Sequence, residues 1–127
     1  MSQQYDTGTR AFVADAAIAQ FARVVFENDG RIVTAGLTDP GIGVAQLPAF
    51  AAGDVIPVKL FSAGGTFKMI AIEALAVAAT LYTETSGKVQ DTAASTSVPF
   101  AQALEAATAD GDIIECALLP YRGAAAN

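Results

Sequence analysis

Residues 17–35 read AIAQFARVVFENDGRIVTA, and residues 74–92 read ALAVAATLYTETSGKVQDT. Laid over each other at a separation of 57 residues, Ala17 meets Ala74, Ala19 meets Ala76, Ala22 meets Ala79, Glu27 meets Glu84 and Gly30 meets Gly87. Ile18 with Leu75, Val24 with Leu81, Arg31 with Lys88 and Ile32 with Val89 keep the same character. The series runs on with small gaps. Val44-Ala45-Gln46 answers Phe100-Ala101-Gln102, and Ala52-Gly53-Asp54-Val55-Ile56 answers Asp110-Gly111-Asp112-Ile113-Ile114. Alanine richness raises chance identities, so the weight rests on the ordered turn glycines and apolar runs. Such repetition points to one supersecondary unit built twice.

Each unit has the same grammar. An alanine-rich lead-in precedes a β-hairpin, Arg23–Phe26 with Arg31–Thr34 or Thr80–Thr83 with Lys88–Asp91. The turns, Glu27-Asn28-Asp29-Gly30 and Glu84–Gly87, carry residues that tolerate positive φ. A third short strand follows at Gly43–Gln46 or Phe100–Leu104, then Gly-Asp, then a final apolar run at Val55–Leu60 or Ile113–Leu119. Between the units, Thr66–Ile72 alternates Phe67 and Met69 as a half-buried strand does. Alanine is the best helix former, and Ala11–Phe26 and Ala101–Ala109 have near-helical apolar spacing. The expected fold is mainly β, a small β-barrel or β-tulip with one or two short helices in the alanine-rich loops. The expected organisation is an extended N-terminal arm over residues 1–16, one domain over 17–122 containing repeats 17–60 and 74–119, and a flexible tail over 123–127.

Composition narrows the function classes. The chain has 127 residues, of which 53% are apolar and 16% charged, with seven Lys+Arg, thirteen Asp+Glu, one Cys and no His or Trp. Seven scattered basic residues and a net charge of −6 leave no footprint for nucleic acid. No stretch reaches the roughly 20 apolar residues of a membrane span. The first six residues lack the charged and apolar regions of a signal peptide, so a soluble chain made in the cytoplasm is expected. Without His, zinc sites and Ser–His or Cys–His catalysis lack their partner. Cys116, in an apolar run, reads as a small buried hydrophobe.

Few residues remain for chemistry. Asp110, Asp112 and Glu115 could form a calcium site or a carboxylate pair, but Asp110-Gly111-Asp112 also reads as a turn before a strand. Lys59, Lys68 and Lys88 sit where solvated strand faces are expected. Gly41-Ile42-Gly43 is too short for a phosphate loop. The reading is a non-enzyme with no cofactor, no metal and no small-molecule substrate. In the N-terminal arm, Tyr5, Asp6, Arg10 and Phe12 stand among small residues, and a partner interface is expected there.

Residues 81–89, LYTETSGKV, with Ala103-Leu104-Glu105-Ala106-Ala107 and Gly111-Asp112-Ile113-Ile114-Glu115-Cys116, resemble the C-terminal half of the small phage head-decoration proteins, some once labelled predicted phage recombinases. Ile42-Gly43-Val44-Ala45 and Ala52-Gly53-Asp54-Val55 fit the N-terminal half, so the resemblance spans about residues 17–119. It implies a capsid cement protein on the outer surface of the virion head, bound across major capsid protein junctions, commonly as a homotrimer. The alternative expectation is another virion part: a tail-tube, fibre or head-completion module.

Overall fold

The computed structural model describes residues 8–27 and 29–119. Ten strands form two five-stranded antiparallel sheets. The first holds β1 (Thr9–Val13), β2 (Arg23–Phe26), β3 (Ile32–Thr34), β4 (Gly43–Ala45) and β5 (Val55–Leu60), in the order β1-β5-β4-β2-β3. The second holds β6 (Thr66–Ile70), β7 (Thr80–Thr83), β8 (Val89–Gln90), β9 (Pro99–Ala103) and β10 (Ile113–Leu118), in the order β6-β10-β9-β7-β8. The two orders are the same order, five strands along. The duplication is therefore structural, and each module uses one contiguous half of the chain.

Within each module the sheet rolls up. A single parallel bridge joins Ala14, beyond β1, to Ile32 of β3, and its twin joins Ala71 to Val89. A rolled five-stranded sheet encloses little volume, and its inward positions must be small or well fitted. That accounts for the alanines. Ala14, Ala22, Ala45 and Ala49 lie in the first core, and Ala71, Ala101, Ala103 and Ala107 in the second. Large side chains alternate with them: Phe12, Val24, Ile56 and Val58 in one, Met69, Leu81, Ile114 and Cys116 in the other. Full burial of each such side chain contributes about 1.5–3 kcal/mol.

Three sequence expectations are corrected. The alanine-rich segments are not helical; the one helical element among the described residues is the 3₁₀ turn Phe61–Ala63 between the modules. Tertiary packing into a narrow core overrides alanine's propensity. The repeat also begins earlier than residue 17. Thr9–Val13 pairs along its whole length with β5, Thr9 against Lys59 to Val13 against Val55, as β6 pairs with β10. The described part of the expected arm is thus a strand of the body, while residues 1–7 lie outside the described residues. Finally, the third strands align two residues away from the sequence match. Val44 pairs with Lys59 where Gln102 pairs with Ala117, so Val44 corresponds to Gln102 and Phe100 to Ile42.

Candidate functional site

Arg23 opens β2, and its side chain is fully buried at the joint of the two modules. Its Nη1 donates to the Asp39 carbonyl at 2.7 Å and its Nη2 to Gly36 at 3.3 Å, both in the first module. Its Nε donates to the Lys88 carbonyl at 3.2 Å and Nη2 also to Glu84 at 2.7 Å, both in the second. The guanidinium lies 5.6 Å from the centroid of the Phe100 ring. A rigid fork of five N–H donors suits such a set of fixed carbonyls, where a lysine would not. Burial pulls the guanidinium down to about 10, against the pull of Glu84 and Asp39, which favour the charge. It stays charged at neutral pH.

Around this arginine the joint is closely fitted. The Arg23 N–H donates to the Gly87 carbonyl at 3.0 Å. A Cβ on Gly87 would lie 2.5 Å from Thr34 Cγ2. The Thr83 hydroxyl donates to the Leu37 carbonyl. Core residues cross over: Ile70 packs into the first core, and Val44 and Phe61 into the second. Phe61 meets Phe67 edge-on at 5.3 Å between centroids. The Glu84 carboxylate accepts from the Ser86 hydroxyl at 2.5 Å, the Ser86 N–H at 3.0 Å and the Thr85 hydroxyl at 2.8 Å. Desolvation raises its pKa, but these hydrogen bonds outweigh it and hold the group below the usual carboxylate range.

An open groove of about 530 Å³ runs across the same joint, lined by Phe21, Gln46 and Lys59 from the first module and by Thr66, Phe67, Lys68, Glu105 and Glu115 from the second. Its charges have local partners. Lys59 donates to the Thr66 carbonyl and lies 4.5 Å from the Phe67 centroid. Glu115 accepts from the Thr66 hydroxyl at 2.6 Å, and Lys68 lies over Phe21. The groove knits the modules together on one side as Arg23 does within.

The residues singled out from the sequence fall in different places. Asp112 accepts from the Thr108 and Ala109 N–H groups at 2.7 and 3.2 Å and from the Thr108 hydroxyl, which hold it below the usual carboxylate range. Asp54 accepts from the Phe50 and Ala51 N–H groups. Both are loop-bracing aspartates. Asp110 pairs with Lys88 at 2.9 Å. Among the described residues the acidic trio makes no metal-holding group. Tyr5 and Asp6 lie outside the described residues. Arg10 is exposed on β1 with its guanidinium 5.1 Å from the Phe12 centroid. Phe12, expected at a partner interface, is only 8% exposed and fills the first core, edge-on to Phe26 at 5.6 Å. Phe12 is the one buried residue of β1.

Sequence reasoning missed the outward apolar side chains. Phe50 is 83% exposed, Val55 65%, Val77 60% and Leu47 53%. Leu47, Phe50 and Val55 belong to a single loop and strand start of the first module, between β4 and the beginning of β5. The signal was present as large apolar residues beside a turn, but their direction was not. No helix among the described residues is long and apolar enough to cross a membrane.

The family model described as "Phage cement protein" matches residues 3–118, a span that takes in both modules. No curated protein matches the chain. By that match the chain belongs to the phage cement protein family, a family of virion structural proteins and not of enzymes.

Proposed function

We infer that this member of the phage cement family decorates a phage head from outside, bridges junctions between major capsid subunits and raises the force the shell withstands. The supporting observation is the family match over residues 3–118. The architecture suits the task. Two rolled sheets locked by a buried arginine make a stiff body that can transmit load. Packaged DNA pushes capsid subunits apart. A body bound to two or three of them must lose its contacts before they part, so its binding energy adds to the energy of rupture.

The chain acts as a homotrimer, without enzymatic activity, cofactor or nucleic-acid partner. Joining several weak contacts raises their effective concentration and turns them into tight attachment. The net charge of −6 suits an outward surface that should not adhere to polyanions. Synthesis is in the host cytoplasm, before assembly. The partner interface expected at Tyr5, Asp6 and Arg10 belongs to this reading.

Cryo-electron microscopy of the virion tests this reading. Density for the two-module body on the outer head surface is the expected result; density inside the shell or only in the tail overturns it. Heads stripped of this protein should burst at lower temperature and milder osmotic shock than heads that carry it.

A further inference from the structure

The two β-turn loops that lead into the last strand of each module are twins. Gly53 and Gly111 have φ of 96° and 95°. Asp54 and Asp112 brace them through the same two backbone N–H groups. Ile18 bridges Ala49 as Leu75 bridges Ala107. Position by position, Leu47, Phe50 and Ala52 of the first loop correspond to Glu105, Thr108 and Asp110 of the second.

The second loop shows what the backbone needs. The Thr108 hydroxyl adds a 2.9 Å hydrogen bond to the bracing aspartate. Asp110 pairs with Lys88. Glu105 accepts from the Glu115 N–H at 2.8 Å; the first module has Pro57 at the corresponding place, so Leu47 has no such donor to satisfy. Nothing in the loop geometry asks for a phenyl ring at position 50, yet Phe50 stands 83% exposed, three residues after Leu47 at 53%. With Val55 also 65% exposed, three large apolar residues of one loop and strand start face outward, and exposed apolar groups grouped on one segment mark an interaction surface.

We propose that the apolar tip of the β4–β5 loop, led by Phe50 and flanked by Leu47, is a surface by which this chain grips the capsid shell, seating in an apolar recess of the shell protein. This rests on the reading of the chain as a head-decoration protein. A second copy of the chain is the weaker occupant. The tip is a convex turn of a few side chains, and a stable pair of proteins buries about 800 Å² on each partner. A homotrimer would present three such tips to the shell at once, so each linked contact can be small.

The test replaces the tip residues with those of its twin: Phe50→Thr alone, and Phe50→Thr with Ala52→Asp. The twin loop carries these residues on the same backbone, so both variants should fold, checked by circular dichroism and urea unfolding. Binding is measured by sedimentation with heads stripped of this protein, alongside the native mass in solution. The expected result is unchanged native mass and binding at least about tenfold weaker, the loss of one buried aromatic. Unchanged binding of the folded variants overturns the proposal and leaves the decoration reading standing. A fall in native mass overturns it in favour of a contact between copies. Failure of the unaltered protein to bind stripped heads removes the decoration reading itself.

Discussion

The Arg23 side chain in the first module donates to the main-chain carbonyl of Glu84 in the second at 2.7 Å, across 61 residues of sequence. The repeat makes Arg23 the counterpart of Thr80, which is exposed at the start of β7. The duplicated modules thus differ at a residue where they touch. One contributes a long cation, and each supplies two of the carbonyls that receive it.

Replacing Arg23 with Lys should destabilise the protein by about 3 kcal/mol. A single ammonium cannot reach four carbonyls, and each buried acceptor left without a donor costs about 1–3 kcal/mol. Urea unfolding at neutral pH measures this. A loss under 1 kcal/mol would mean that the joint is held by its apolar contacts alone.

Gly30 and Gly87 occupy the same turn position, with φ of 83° and 77°. A Cβ at Gly30 meets nothing within 4 Å, whereas at Gly87 it lies 2.5 Å from Thr34 Cγ2. Gly30→Ala should cost about 1 kcal/mol from backbone strain. Gly87→Ala should cost that plus about 1–3 kcal/mol of overpacking. Equal unfolding midpoints for the two variants would contradict the observed packing of the joint.

Ala78 holds a left-handed φ of 73°, as Phe21 does at 67° in the first module. Ala78 is exposed, so Ala78→Gly relieves the strain with little packing lost. A gain of roughly 0.5–1 kcal/mol is expected. Thermal melts would detect this as a higher Tm.

The folded protein holds Glu84 and Asp112 below the ordinary carboxylate range. As pH falls, the unfolded chain takes up these protons first. The stability they contribute is complete above about pH 4.5 and is lost as pH drops through their depressed values. Urea midpoints should be flat from neutral pH down to that point and then fall, and Glu84→Gln should flatten the fall.

Cys116 is fully buried, and burial, then the nearby Glu105 and Glu115 carboxylates, pushes its thiol up to about 12. The neutral thiol is favoured by folding, so its contribution holds below about pH 8.5, the ordinary thiol value, and fades as pH rises from there towards 12. At pH 8 a thiol reagent should leave the native protein untouched and label one equivalent in urea. Rapid native labelling would show that the second core opens readily.

Much of this architecture was legible in the residues. The hairpins and last strands declare themselves through β-formers between turn glycines; Arg23–Phe26, Val55–Leu60 and Thr80–Thr83 begin and end where the pattern places them. Other parts were hidden for physical reasons. β1 and β6 are twins, but Arg10 faces the slot of Phe67 and Ala11 that of Lys68, so backbone pairing survives where identity does not. Alanine favours a helix in isolation and a narrow rolled sheet in context, and only the long-range partners decide. The role of Arg23 depends on carbonyls from residues 36, 39, 84 and 88, which no local pattern gathers. The direction of Phe50 is set by a turn that its own side chain does not help to build.

Each rolled sheet draws all five strands from its own half of the chain, and the halves meet at Phe61–Gly65. A symmetric pair of separate short chains must change both partners with every mutation. Tethering lifts that rule: one half holds an arginine where the other holds threonine, and one loop carries Phe50 where its sibling carries Thr108. The fused product need not present the same surface twice, so each half can meet a different neighbour.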